Sequence, residues 1–387
     1  MSSPTKLGYV DMMRGCAILM VIAVHTAQQF SRLSPLTHFI AHYGQMGVQL
    51  FFVASAYTLC HSWARRKNEG NQLVKFYLRR LFRIAPLYYL AILMYLLIHL
   101  GMQALKGAPD IEFHQYTIKN IASNIFFIHG FYPPANDNIV PGGWTIGTEM
   151  AFYLVFPVLF SIFERTNLRG QGLLLWGLVV LSIIPNLLYL AILSASPESA
   201  GLTILDGSFN NSFAYHHLFN QLPVFLIGMV AFYQHQRINQ QRFSYHRHWH
   251  ILYFLIFTAI SLALAWMDSG SILFFLIIPI SSGISFYFLM SIFRCMSKPN
   301  NFLSKIGQAS YSMYVFHFIF WWYLPQYVAP LIVKIASKLL PGEFAENLAF
   351  LCSFILISLI SYGVATISQK WIEARGIALG NLIIARL

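Results

Sequence analysis

VDMMRGCAILMVIAVHTAQQF, residues 10–30, is an apolar run of about twenty residues, long enough as a helix to cross the hydrocarbon core of a bilayer. Arg14 and His25 sit inside it, eleven residues apart. At 3.6 residues per turn that is close to three whole turns, so both fall near one face about 16 Å apart along the axis. Asp11, three residues before Arg14, lies near that face and is placed to offset the burial of a cation. Two readings fit this spacing. An ionisable residue in a membrane span is expensive to keep and so points to function. Alternatively, Arg14 snorkels to the headgroups and His25 hydrogen-bonds a neighbouring helix.

The rest of the chain repeats the pattern. Of its 387 residues, 57% are hydrophobic and only 10% charged, and the mean hydropathy is +0.59. Those values lie outside the soluble globular range and imply a polytopic membrane protein. The short alternating segments of a barrel are absent, so the expected fold is all-α, a transmembrane helical bundle. Cys16, Cys60, Cys295 and Cys352 have no framework or metal spacing. The first run lacks a small-residue cleavage signature and is followed by further spans, so it reads as an uncleaved first helix.

Apolar runs predict ten spans, near residues 10–30, 45–62, 82–100, 147–163, 172–194, 218–235, 251–267, 272–292, 305–323 and 347–368, within one membrane domain over 1–387. Ile121 to Phe131 is too short to cross and reads as re-entrant or interfacial. With both termini cytoplasmic, 20 of the 25 Lys and Arg residues face inward, which satisfies the positive-inside rule. The net charge of +12 is then topological, and no nucleic-acid partner is expected.

Further polar groupings recur at the membrane edge or within it. In FYLRRLFRIAPLYYL, residues 76–90, Arg79, Arg80 and Arg83 gather at the inner end of a span. Arg80 and Arg83 share a helical face, and guanidinium groups grip phosphate oxygens bidentately. That suits a nucleotide-like cofactor entering from the cytoplasm, while contact with anionic lipid is the plainer alternative. In PGGWTIGTEMAFYLVFP, residues 141–157, Trp144 suits the interface and Glu149 falls about a turn inside. By this topology Glu149 enters from the outer side, toward the depth of His25. A carboxylate and an imidazole at one depth make either an acid/base pair or a structural hydrogen bond. In IGQASYSMYVFHF, residues 306–318, Ser310, Tyr314 and His317 form a polar stripe of supporting residues, a pattern that more often glues helices together.

Two further signals are weaker. The outer segment 195–217, with Glu198, Asp206, Asn210, Asn211, His216 and His217, reads as a polar lid or a plain connector. His246, His248 and His250 alternate in a basic inner loop without a fixed fourth ligand, so no metal is expected.

Taken together, DMMRGCAILMVIAVH, RRLFRIAPLY, GGWTIGTEMAFYL, QLPVFLIGM and SYSMYVFH, in that order, resemble the acyltransferase 3 family, from about residue 7 to residue 375. WIEARG at 371–376 resembles the family's closing Ile-Glu-x-Pro, with Arg375 in place of Pro. The resemblance implies an integral-membrane O-acyltransferase of the bacterial inner membrane, of the standalone kind without an appended periplasmic hydrolase-like domain. It implies that His25 is the catalytic histidine, that Arg14 belongs to the same motif, and that Glu149 is the acidic position after the Trp. Arg80 and Arg83 match an Arg-x-x-Arg pair whose implied ligand is the phosphates of acetyl-CoA or a related acyl-CoA.

On this reading the acyl donor docks on the inner Arg cluster, with Arg14 contacting cofactor or setting the field along the path. His25, oriented by Glu149, either deprotonates an acceptor hydroxyl or first takes the acyl group itself. The acceptor is a cell-envelope glycan, such as a lipopolysaccharide or exopolysaccharide sugar, or a lipid-linked sugar. Composition alone favours a rival, a transporter or flippase of a lipid-linked or acylated substrate, whose path the same buried charges would line.

Overall fold

A computed structural model of the chain describes residues 7–105, 115–137, 139–195, 213–241, 247–267, 272–296, 299–338 and 340–387. The predicted lid is described only at its ends, since 196–212 lies outside these residues, as does His246. Every regular element among the described residues is helical, as a backbone that must satisfy itself in lipid requires. The α-helices are α1 (Gly8–Ala27), α2 (Pro35–Tyr43), α3 (Gly47–Ala64), α4 (Gln72–Leu105), α5 (Ile118–Ile125), α6 (Gly143–Arg165), α7 (Leu168–Ala195), α8 (Phe213–His216), α9 (Leu218–Gln241), α10 (Arg247–Trp266), α11 (Ile272–Arg294), α12 (Asn301–Gln308), α13 (Ser310–Ala336), α14 (Gly342–Ser368) and α15 (Ala374–Ile384).

Six described helices are long and apolar enough to span: Gly8–Ala27, Gln72–Ala104, Gly143–Arg165, Arg247–Trp266, Leu276–Arg294 and Gly342–Ile384. A seventh appears if the two halves of α13, bent by 58°, make one span. The chain is thus a multi-pass helical membrane bundle. Helices occupy the other expected segments too, but Gln49 and His61 lower the apolar character of α3, and Asn220, Gln221, Gln234 and His235 that of α9. Ile121 to Phe131 folds as the end of eight-residue α5, capped by Thr117, and a 3-10 turn at Ile128–Phe131.

The chain divides into two compact units. One comprises Met1–Thr58, Ile238–Met267 and Ser281–Trp371. Its central helix is α1, and α12 lies directly against it. A Cβ added at Gly307 would come within 1.7 Å of the Asp11 carbonyl oxygen, so the two backbones touch where only glycine fits. Asn300 caps α12 by accepting from the N–H groups of Phe302 and Leu303. Hydroxyls join other helices of this unit: Ser312 donates to Ser368 at 3.0 Å, and Tyr43 donates to Ser261 at 2.9 Å. In an apolar surround such bonds set helix register.

The second unit comprises Leu59–Arg237, Asp268–Ile280 and Ile372–Leu387. Its α6 is preceded by Gly142 at the N-cap, whose φ of 72° is a left-handed conformation that favours glycine. The Gly143 N–H donates to the Val140 carbonyl at 2.8 Å, which closes the turn into α6. A buried polar network steadies the same turn. Tyr88 donates to Asn124 at 2.7 Å, His129 Nε2–H donates to the Gly143 carbonyl at 3.1 Å, and Asn136 donates to the His129 carbonyl at 3.1 Å. Burial pulls the pKa of His129 down to about 4, so the imidazole is neutral in this network.

Candidate active site

The candidate residues fall into two groups, one in each unit. In the first, α1 carries Asp11, Arg14 and His25. Asp11 Oδ2 accepts from Gln308 Nε2 at 3.1 Å, and Arg14 Nη2 donates to Thr58 Oγ1 at 3.1 Å. Thr58 spends its own proton on the carbonyls of Ala54 and Ser55 at 3.0 and 2.9 Å, which leaves its oxygen as an acceptor for Arg14. Asp11 and Arg14 are therefore each held by a neighbouring helix.

His25 lies in the last turn of α1 and is half-buried. Its Nδ1–H donates to Gln28 Oε1 at 3.1 Å, which fixes the tautomer and leaves Nε2 as the basic nitrogen. Three rings of α13 surround it, with centroids 4.6 Å away for Phe318, 5.4 Å for His317 and 5.9 Å for Trp321. His317 is fully buried and donates from Nδ1 to the Tyr314 carbonyl at 2.7 Å. Ser310 and Tyr314 are buried in the same helix, and Phe51 meets Tyr314 edge-on at 6.2 Å. Trp321 was not singled out by the sequence reading. Its signal is spacing, one turn beyond His317.

In the second unit the cations gather around Ser62. Arg66 Nη1 donates to Ser62 Oγ at 2.7 Å and Arg80 Nη2 donates to the same oxygen at 3.3 Å. Arg79 pairs with Glu69, while Arg83 is exposed. The guanidinium of Arg80 lies over the rings of Phe76 and Tyr153, 5.8 and 5.9 Å from their centroids. Its buried Nε has no partner among the described residues. Tyr153 donates to Glu149 Oε1 at 2.6 Å, so α6 brings a carboxylate–phenol pair beside the arginine. Arg66 and Tyr153 are additions to the candidates read from the sequence. Tyr153 follows Glu149 by one turn on the same face, whereas nothing local marks Arg66 apart from its basic loop.

Trp144 is buried and stacks on His216 with ring centroids 4.2 Å apart, at an interplanar angle of 10°. His216 Nδ1–H donates to Asn136 Oδ1 at 2.8 Å, and Thr148 donates to the His216 carbonyl at 2.6 Å. These contacts anchor the first turns of the helix that carries Glu149. Among the described residues, no three His, Cys, Asp or Glu side chains group as metal ligands.

Chemically, the first group offers a base whose orientation is set by Gln28. The second offers cations with hydrogen-bond donors to spare.

Comparison with known proteins gives the family. The chain is 26% identical over 168 residues to the peptidoglycan O-acetyltransferase OatA of Listeria monocytogenes, a match covering 40% of this chain and 24% of that protein. It is 34% identical over 92 residues to protein 2 in the picA locus of Rhizobium radiobacter, covering 24% of this chain and 44% of that protein. The matches thus span less than half the length of either relative. No solved structure matches. The acyltransferase 3 model, described as an acyltransferase domain, matches residues 7–366, and with nearly the whole chain inside that match the chain belongs to the acyltransferase 3 family.

Proposed function

We propose that this chain is a membrane O-acyltransferase that moves an acetyl group from cytoplasmic acetyl-CoA to a hydroxyl of a cell-envelope glycan. The observation that supports this most is that the family match, residues 7–366, runs through the motif residues Arg14, His25, Arg80, Arg83 and Glu149, and stops short of the closing motif at 371–376. The O-acetylation named for the Listeria relative supports a glycan acceptor. Positive-inside charge supports both termini being cytoplasmic, and membership of the family supports a bacterial inner membrane.

Arg80, with Arg66 on the same serine hydroxyl, holds the donor's phosphates, and Arg83 adds charge nearby. His25 Nε2, left basic by the Gln28 bond, takes the proton of the acceptor hydroxyl as its oxygen attacks the thioester carbonyl. The carbon–sulfur bond breaks, and the proton passes to the departing thiolate. Arg14 sets the field below the histidine, and Glu149 is an acidic residue of the transfer step.

Membranes supplied with radiolabelled acetyl-CoA and the host's envelope glycan fraction test this reading. Label appearing in glycan supports it. Movement of a lipid-linked sugar across the membrane without label in glycan would replace it with the flippase reading.

A further inference from the structure

Beside His25, two polar atoms are sealed from solvent with no partner among the described residues: Nε2 of His317 and Nε1 of Trp321. They are opposite in kind. His317 donates from Nδ1 to the Tyr314 carbonyl, so its Nε2 presents a lone pair, whereas indole Nε1–H only donates. Buried polar groups in folded proteins are nearly always answered, and one left over calls for a partner such as an ordered water, an ion or a ligand group.

Few groups answer both. A carbonyl or an oxyanion accepts and serves Trp321 alone, and an ammonium donates and serves His317 alone. A hydroxyl does both, donating to His317 Nε2 while accepting from Trp321 Nε1–H. The two residues are four apart on α13, hence on one face. Their ring centroids lie 5.4 and 5.9 Å from that of His25, so a hydroxyl held between them sits next to the one His25 deprotonates.

We infer that His317 and Trp321 form an acceptor subsite that binds a second, non-reacting hydroxyl beside the one being acetylated. This rests on the acyltransferase reading and adds to it a requirement on the acceptor. The site takes polyols with hydroxyls on neighbouring carbons over isolated alcohols, and it selects which hydroxyl reacts. An analogue lacking the second hydroxyl leaves a buried donor and a buried lone pair unmet, which is how such sites discriminate.

The test uses the full chain in membranes, with labelled acetyl-CoA and the host envelope glycan fraction, and compares label entering glycan with label released as free acetate by water. Trp321→Phe removes the donor and His317→Phe removes the acceptor. Each is expected to lower the ratio of transfer to hydrolysis at least tenfold and to spread label from one hydroxyl position over its neighbours. A ratio within threefold of wild type in Trp321→Phe, with positions unchanged, overturns the inference, because structural packing or oxyanion stabilisation affects both products alike. If His317→Phe fails to fold, Trp321→Phe still decides. Wild-type protein that makes neither product removes the acyltransferase reading itself, an outcome distinct from an unchanged ratio.

Discussion

The imidazole rings of His25 and His317 lie 5.4 Å apart, and each points its Nδ1–H at an oxygen, Gln28 Oε1 for one and the Tyr314 carbonyl for the other. Both rings therefore keep the lone pair on Nε2. Gln28→Ala removes the bond that fixes the His25 tautomer while leaving the ring. The expected result is a fall in kcat of about tenfold, by analogy with the 10²–10⁴-fold worth of a positioned base, with the KM for acetyl-CoA unchanged. Steady-state kinetics at several donor concentrations check it.

Arg80 is the cation with two aromatic rings beside it, a serine hydroxyl and an unanswered Nε. A charge-assisted bond to a phosphate is worth about 1.5–3 kcal/mol, so Arg80→Gln should raise the KM for acetyl-CoA roughly 10- to 100-fold. Arg79→Gln, whose wild-type side chain already pairs with Glu69, should raise it far less. Equal effects would move the donor site off Arg80.

Glu149 accepts from Tyr153 at 2.6 Å. Glu149→Gln keeps the shape and removes the charge, and a drop in kcat/KM of about tenfold or more is expected if the carboxylate acts in transfer. Tyr153→Phe loses one hydrogen bond, worth about 1 kcal/mol, and should cost about fivefold. Full activity in both variants would reduce the pair to helix packing.

The helices of the apolar runs were legible in the sequence because hydrophobic length is a one-dimensional signal, although six or seven of the described helices, not ten, are long and apolar enough to span. The run holding Arg14 and His25 reads as a helix, and α1 is one. Partners across helices were not legible. Asp11 is three residues from Arg14, yet its carboxylate meets Gln308, nearly three hundred residues away, because Gly15 and Gly307 let α12 press against α1. Similarly, the sequence grouped Arg80 with Arg83, but neighbouring helices supplied Ser62 and Tyr153 to Arg80 and left Arg83 exposed.

That close approach is itself testable. A methyl group at residue 307 has no room, since it would fall 1.7 Å from the Asp11 carbonyl oxygen, a backbone atom. Gly307→Ala should therefore force α12 away from α1, with a loss of about 1–3 kcal/mol as overpacking typically costs. The expected result is a lower melting temperature in detergent together with reduced activity.

Stability should also fall with acid through His129. Its pKa in the folded chain is about 4, below the ordinary histidine value, because it is buried. Between pH 6.5 and 4 the unfolded chain takes up a proton that the folded chain refuses, so stability present above pH 6.5 is lost as pH falls, by about 2 kcal/mol at pH 5. His129→Gln, referenced to its own value at pH 7, should lose less. Melting temperatures of the two proteins at pH 7 and pH 5 check the sign.

The central claim is that His25 carries acetyl transfer. Membranes holding equal amounts of wild type and of His25→Ala, given radiolabelled acetyl-CoA and the host's envelope glycan fraction, test it most directly. The account predicts label in glycan with wild type and none above background with the variant. Label transferred at the wild-type rate by correctly inserted His25→Ala would contradict it.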